Sequence, residues 1–214
     1  MRGLIVNADD LGHGPTVNAG VIEAHERGIV TSASLMVRRA GAGPGAAAAE
    51  AHPRLGVGLH LELDGVAPDA LREEVAAQLR AFRELVGGEP THLDSHHHVH
   101  REEPARSIVL ELGGENGLPV RHFSPARYRG DFYGLAPDGS PRPEAVSPDA
   151  LRALVRGLPE GVTELCCHPA RGAVPGSSYG AERERELETL CDPGVRDELE
   201  RGGIRLMTFR ELDT

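Results

Sequence analysis

Two adjacent carboxylates, Asp9 and Asp10, follow an apolar run in Asn7-Ala8-Asp9-Asp10-Leu11-Gly12. Neighbouring side chains on an extended segment point to opposite sides, so one carboxylate can ligate a metal while the other accepts a proton. A solvated turn, with an aspartate capping a helix near Pro15, would use the same residues. Asp94-Ser95-His96-His97-His98-Val99-His100 is the most informative stretch. On a helix His96 and His100 would share a face, and on an extended segment His96 and His98 would. Imidazoles bind transition metals and leave room for a carboxylate ligand. Four histidines in five residues argue against a merely solvated loop. Whether His98 or His100 takes the place of His96 stays open.

Three further residues extend the set. His60 lies in the apolar run Val57-Gly58-Leu59-His60-Leu61. A lone histidine in such a strand is more often a hydrogen-bonded core residue than a ligand, but an aspartate plus two histidines would leave the open positions a catalytic metal needs. Arg121 can hold Asp9 ionised through a bidentate pair or be a plain surface arginine. His168, after Cys166-Cys167, reads as a general acid or as a structural histidine. The adjacent cysteines lack the spacing of a zinc knuckle or redox pair and read as strand core.

These residues need elements that bring them together. Apolar runs predict strands at Leu4 to Ala8, Thr31 to Val37, Gly56 to Leu63, Thr91 to Ser95, Pro119 to His122, Gly161 to Cys167 and Ile204 to Met207. Helical periodicity predicts helices at Val17 to Arg27, Ala46 to Ala51, Asp69 to Val86, after Pro104, and at Pro148 to Arg156, Ala181 to Leu190 and Asp197 to Arg201. Tyr128 to Pro148, rich in Gly, Pro and Asp, reads as a long loop. Strands alternating with helices imply a parallel sheet, closed or open. Every polar motif follows a strand, and the C-terminal ends of parallel strands gather on one face. No repeat or linker divides the chain, so residues 1–214 read as a single domain.

The formal charge of −10 disfavours a nucleic-acid partner. No apolar stretch could span a membrane, and three cysteines without a secretory signal suggest a reducing cytoplasm. The chain has no lysine, which removes a carboxylated-lysine metal site. Two rivals to a hydrolase using these groups remain: another metal-dependent hydrolase on the same strand–helix scaffold, and a non-catalytic sugar- or metal-binding protein. The presence of Asp9 beside the ligands favours an enzyme.

Ile5-Val6-Asn7-Ala8-Asp9-Asp10-Leu11-Gly12, Gly28 to Ser34, Gly58-Leu59-His60-Leu61, Thr91 to His100, Cys167-His168-Pro169-Ala170 and the spacing of Ser178-Tyr179, Arg183 and Glu186-Leu187 resemble, in order, the motifs of the YdjC-like carbohydrate deacetylases. The resemblance implies a single TIM-like (β/α) barrel of about seven strands, and removal of an acetyl group from an N-acetylated amino sugar or glycoconjugate. It implies Asp10, His60 and His96 as ligands of one divalent ion, Asp9 as catalytic base, His168 as general acid, and a homodimer. The family's usual metal is magnesium, whereas two imidazoles and a carboxylate suit zinc, cobalt or nickel at least as well. The chain departs from the family after Gly65, where Val66 to Asp69 leads almost directly into a helix in place of a longer insertion.

Overall fold

The computed structural model describes residues 1–212. The strands are β1 (Arg2–Leu11), β2 (Ser32–Leu35), β3 (Gly56–Leu61), β4 (Leu93–Ser95), β5 (Arg127–Arg129), β6 (Gly161–Cys167) and β7 (Arg205–Leu206). The helices are α1 (Pro15–Glu26), α2 (Ala42–Glu50), α3 (Leu71–Val86), α4 (Ala105–Glu115), α5 (Pro148–Arg156), α6 (Ala181–Leu190) and α7 (Pro193–Arg201). All sheet pairings are parallel, in the order β4-β3-β2-β1-β6-β5, with β7 against the start of β1. Among the described residues no pairing joins β4 to β5, so the sheet forms a half-barrel with helices rather than a closed ring.

The two-residue period of a strand sorts chemistry from packing. Leu4, Val6 and Ala8 of β1, Ala33 and Leu35 of β2, Leu59 and Leu61 of β3 and Leu165 and Cys167 of β6 join the main apolar core, together with the buried faces of the helices. Alternate residues face the other way. The register aligns Asn7 with Ser32 and Cys166, Ser34 with Gly58, and His60 with Asp94, so one face of the sheet carries a continuous polar set. Gly58 makes room for it: a Cβ there would lie 2.2 Å from the ring of His92. The helices follow their patterns. Leu71, Val75, Leu79 and Phe82 form the buried stripe of α3, which ends on Gly87 in the left-handed conformation at φ 72°.

Three expectations change. Pro119 to His122 contributes only an isolated bridge, Leu93 to Val120, because Arg121 turns inward and His122 adopts φ 69°. The expected loop from Tyr128 overlaps β5, which is too short and polar to show an apolar pattern. The helix expected at Asp197 begins earlier, at Pro193, with proline in its first turn. No helix among the described residues is long and apolar enough to cross a membrane.

Candidate active site and metal centre

The polar face of the sheet opens into a cavity of about 580 Å³ whose lining includes Asp9, Asp10, His60, His96, Tyr133 and His168. β1 delivers both aspartates. Asp9 shares the inner face with Asn7, while Asp10 adopts φ 68° and the register slips between Ala8 and Leu11. That left-handed residue breaks the alternation, so both carboxylates line one cavity instead of pointing to opposite sides. They still have different partners.

Asp10 faces the histidines. Its Oδ2 accepts from Arg183 Nη2 at 2.6 Å. Its buried Oδ1 accepts no hydrogen bond, yet lies 3.4 Å from both His60 Nε2 and His96 Nδ1. These gaps are long for hydrogen bonds but close to the edge of a tetrahedron with metal–ligand bonds of about 2.0–2.2 Å. His60 Nδ1 is hydrogen-bonded to Asp94 Oδ1 at 2.7 Å, which leaves Nε2 for the cavity and is the usual support of a ligating histidine. The donor set therefore fits one divalent ion. Burial alone would raise the Asp10 carboxyl, but His60, His96 and Arg183 hold it well below the usual carboxylate range.

The histidine tract is neither regular helix nor extended strand. His97 and His98 take φ 52° and 55°, and the four rings find different partners. His96 reaches Asp10, and His97 reaches Asp64 at 3.0 Å. His98 meets Tyr128 at 3.0 Å, while His100 is buried between Ser95 Oγ and the Arg121 carbonyl. Neither His98 nor His100 joins the Asp10 group.

Asp9 faces Arg121, which is fully buried. The guanidinium donates from Nη1 to Oδ2 and from Nη2 to Oδ1, both at 2.7 Å. It also pairs with Asp94 at 2.9 Å and with Glu164 at 2.6 Å. Asn7 donates to Asp9 Oδ1 at 2.8 Å, so Oδ2, with Arg121 as its one protein donor, keeps a lone pair for a proton. Burial would raise the Asp9 carboxyl, and Arg121 outweighs it, holding Asp9 well below the usual range. One guanidinium cannot neutralise three carboxylates, and burial pushes Glu164 up to about 7.

His168 follows β6 on a segment locked against α1, where a Cβ on Gly20 would lie 2.4 Å from Ala170 Cα. Its backbone N–H donates to Glu186, which also accepts from the Tyr179 hydroxyl. His168 Nδ1 lies 4.0 Å from Glu186 Oε1. Burial holds the imidazole down at about 4, against the pull of Asp9 and Asp10. Tyr179 stacks on Tyr133, with ring centroids 4.3 Å apart. Cys167 joins the helix-side core as expected, but Cys166 does not: the strand period turns it toward the cavity.

The structure thus brings together Asp9, Asp10, His60, His96, Arg121 and His168. Arg183 and Glu186 gain positions that residue types alone did not assign, because the charged run of α6 looks solvated while three of its charges, Glu182, Arg183 and Glu186, are buried. Ser34, which donates to Asp94 Oδ2 at 2.9 Å, was signalled only by small polar residues alternating along a buried strand.

Burial pushes the Glu186 carboxyl up to about 8. A carboxyl raised in the fold contributes stability that is present below its unfolded value and is lost as pH rises through the folded one. Glu186→Gln is therefore expected to gain thermal midpoint relative to wild type between pH 5 and 8. A difference that stays constant over that range would contradict the assignment.

Fold and site define an α/β protein of the deacetylase-type (β/α) barrel architecture, with an Asp-His-His donor set at its strand ends in which Asp10 and His60 are buried and His96 is half-buried. The family profile described as YdjC-like protein matches residues 3–68 and 63–201, and the chain belongs to this family. The chain is 35% identical to a carbohydrate deacetylase from Geobacillus stearothermophilus, covering 99% of this chain and 98% of that one. Identity is 32% to a chitooligosaccharide deacetylase from Klebsiella pneumoniae, covering 99% of each. Among solved structures, an Enterococcus faecalis protein provisionally described as a cellobiose-phosphate cleavage protein superposes with a TM-score of 0.84 at 28% identity, covering 100% of this chain and 99% of that one. A family 4 carbohydrate esterase from Streptomyces lividans shares the fold at a TM-score of 0.62 and 14% identity, covering 96% and 91%. The two matched segments meet at residues 63–68, where the sequence reads as shortened.

Proposed function

We propose that the protein is a metal-dependent carbohydrate deacetylase that hydrolyses the acetamide of an N-acetylated sugar or glycoconjugate. The observation that carries this reading is the division of labour between Asp9 and Asp10. One carboxylate is clamped ionised by Arg121, and the other presents an unpartnered buried oxygen to two histidines. The curated relatives named as carbohydrate and chitooligosaccharide deacetylases support the substrate class.

Asp10, His60 and His96 would hold the ion, with zinc, cobalt or nickel suited to the donors and magnesium implied by the family. When bound, a divalent ion supplies Lewis acidity toward the amide carbonyl and lowers the pKa of water. The protein's own groups handle the protons. Asp9 Oδ2 takes a proton from the attacking water, and Arg121 and Asn7 keep the carboxylate aimed. Nitrogen and carboxylate atoms of His168 and Asp9 lie within 4.8 Å of each other, so a leaving nitrogen between them is in reach of both. Burial keeps His168 neutral before reaction, so the proton that Asp9 takes from water passes on to His168 and from there to the leaving amine, which returns both groups to their starting states. Tyr133, backed by Tyr179, offers the sugar an aromatic wall. The products are acetate and a free amine.

Replacing Asp10, His60 or His96 singly with Ala is expected to lower bound metal by at least tenfold, read by elemental analysis of purified protein. Full occupancy in all three variants would remove the ligand assignment. The activity is tested by acetate release from a panel of N-acetylated monosaccharides, oligosaccharides and glycoconjugates. Release with at least one member is expected, whereas tight sugar binding without acetate throughout the panel would favour a non-catalytic binding protein.

A further inference from the structure

The cavity holds a second group of donor atoms that the deacetylase chemistry does not need as a metal site. Asp9, Cys166 and His168 each present one ligand atom, and these atoms lie within 4.8 Å of one another. Cys166 Sγ is 3.8 Å from His168 Nε2. That is near the edge expected when a sulfur and a nitrogen share a tetrahedral ion, with bonds of about 2.3 and 2.0–2.1 Å. Asp9 lines the same cavity and offers it one carboxylate oxygen. The thiol lines the cavity, unlike Cys167, which is packed in the helix-side core. The Asp10 group contains no sulfur, so the two sites differ in chemical taste: the first takes ions that accept imidazole and carboxylate, the second favours thiophilic ions.

We propose that Asp9, Cys166 and His168 form a second, inhibitory site for a thiophilic divalent cation such as cadmium or excess zinc. Binding converts the thiol to a thiolate and releases its proton, so the ion is exchanged for one proton from sulfur. The bound cation occupies the lone pairs of Asp9 and His168, and neither can then carry a proton. The inhibition rests on the proposed deacetylase reading, while the occupancy of the site does not.

The test titrates cadmium into protein already loaded with one equivalent of zinc, following near-ultraviolet thiolate-to-cadmium absorbance, proton release and acetate production. Absorbance saturating at one added equivalent, one proton per ion and at least a tenfold fall in rate are expected. Cys166→Ala should abolish the absorbance, and Cys191→Ala, which removes the partly buried thiol elsewhere, should preserve it. Cys166→Ser, closer in size, replaces the alanine variant if that one does not fold. No thiolate absorbance in wild type, or absorbance that survives loss of Cys166, overturns the site. Absorbance without a fall in the rate overturns its inhibitory role, and absorbance without acetate from any substrate separates this site from a failure of the deacetylase reading.

Discussion

Asp9→Asn is expected to lower the deacetylation rate by about three to four factors of ten, the upper range for loss of a general base, while metal content stays at the wild-type level. The substitution keeps the side-chain shape and removes its basicity. Asp9 supplies no ligand atom to the Asp10-His60-His96 group, so the substitution leaves that donor set complete. An effect confined to the transition state appears in kcat with little change in KM. Because Arg121 holds Asp9 ionised far below neutrality, the wild-type rate should show no loss of this base as pH falls from 8 to 5. A variant that loses metal along with rate would show that the two aspartates have exchanged roles. A variant that keeps its rate would remove Asp9 from the chemistry.

Arg121→Met is expected to cost about 3–5 kcal/mol of stability, the usual size for removing one partner of a buried ion pair. The side chain is fully buried and pairs with Asp9, Asp94 and Glu164. Without it, three buried carboxyls face one another with no guanidinium between them, and they must take up protons or admit water. Equilibrium urea unfolding measures the loss. Arg121→Lys keeps the charge but not the planar fork, so it should fall between wild type and Arg121→Met in stability. A loss below about 1 kcal/mol, the range of exposed pairs, would mean that the cluster is solvated rather than buried.

Much of this arrangement was legible because strand chemistry repeats every second residue. Ile5, Asn7 and Asp9 follow that period, as do Ser32 and Ser34, and the parallel order of the strands gathers the polar ends. The histidine tract was legible as a cluster but not in its geometry. Two consecutive left-handed residues, His97 and His98, give the rings different partners, and non-glycine residues rarely announce that conformation. The same limit hid the turn at Asp10, whose positive φ brings both carboxylates to one cavity. Arg121 lacked a strand to mark its direction, since only Val120 bridges the sheet. Arg183 and Glu186 were obscured by their own sequence context, because a helix reading Ala-Glu-Arg-Glu-Arg-Glu is indistinguishable by composition from a solvated one.

In the proposed reaction, deacetylation depends on an ion held by Asp10, His60 and His96. The most direct measurement of this dependence is acetate release from the best substrate of the panel by one protein preparation, before chelation, after chelator and its removal, and after re-addition of zinc, cobalt, nickel or magnesium, with Asp10→Ala carried in parallel. Release should fall at least a hundredfold on chelation, return with at least one of these ions, and stay absent in Asp10→Ala at every stage. Undiminished release from the metal-stripped protein, or from Asp10→Ala, would contradict the account.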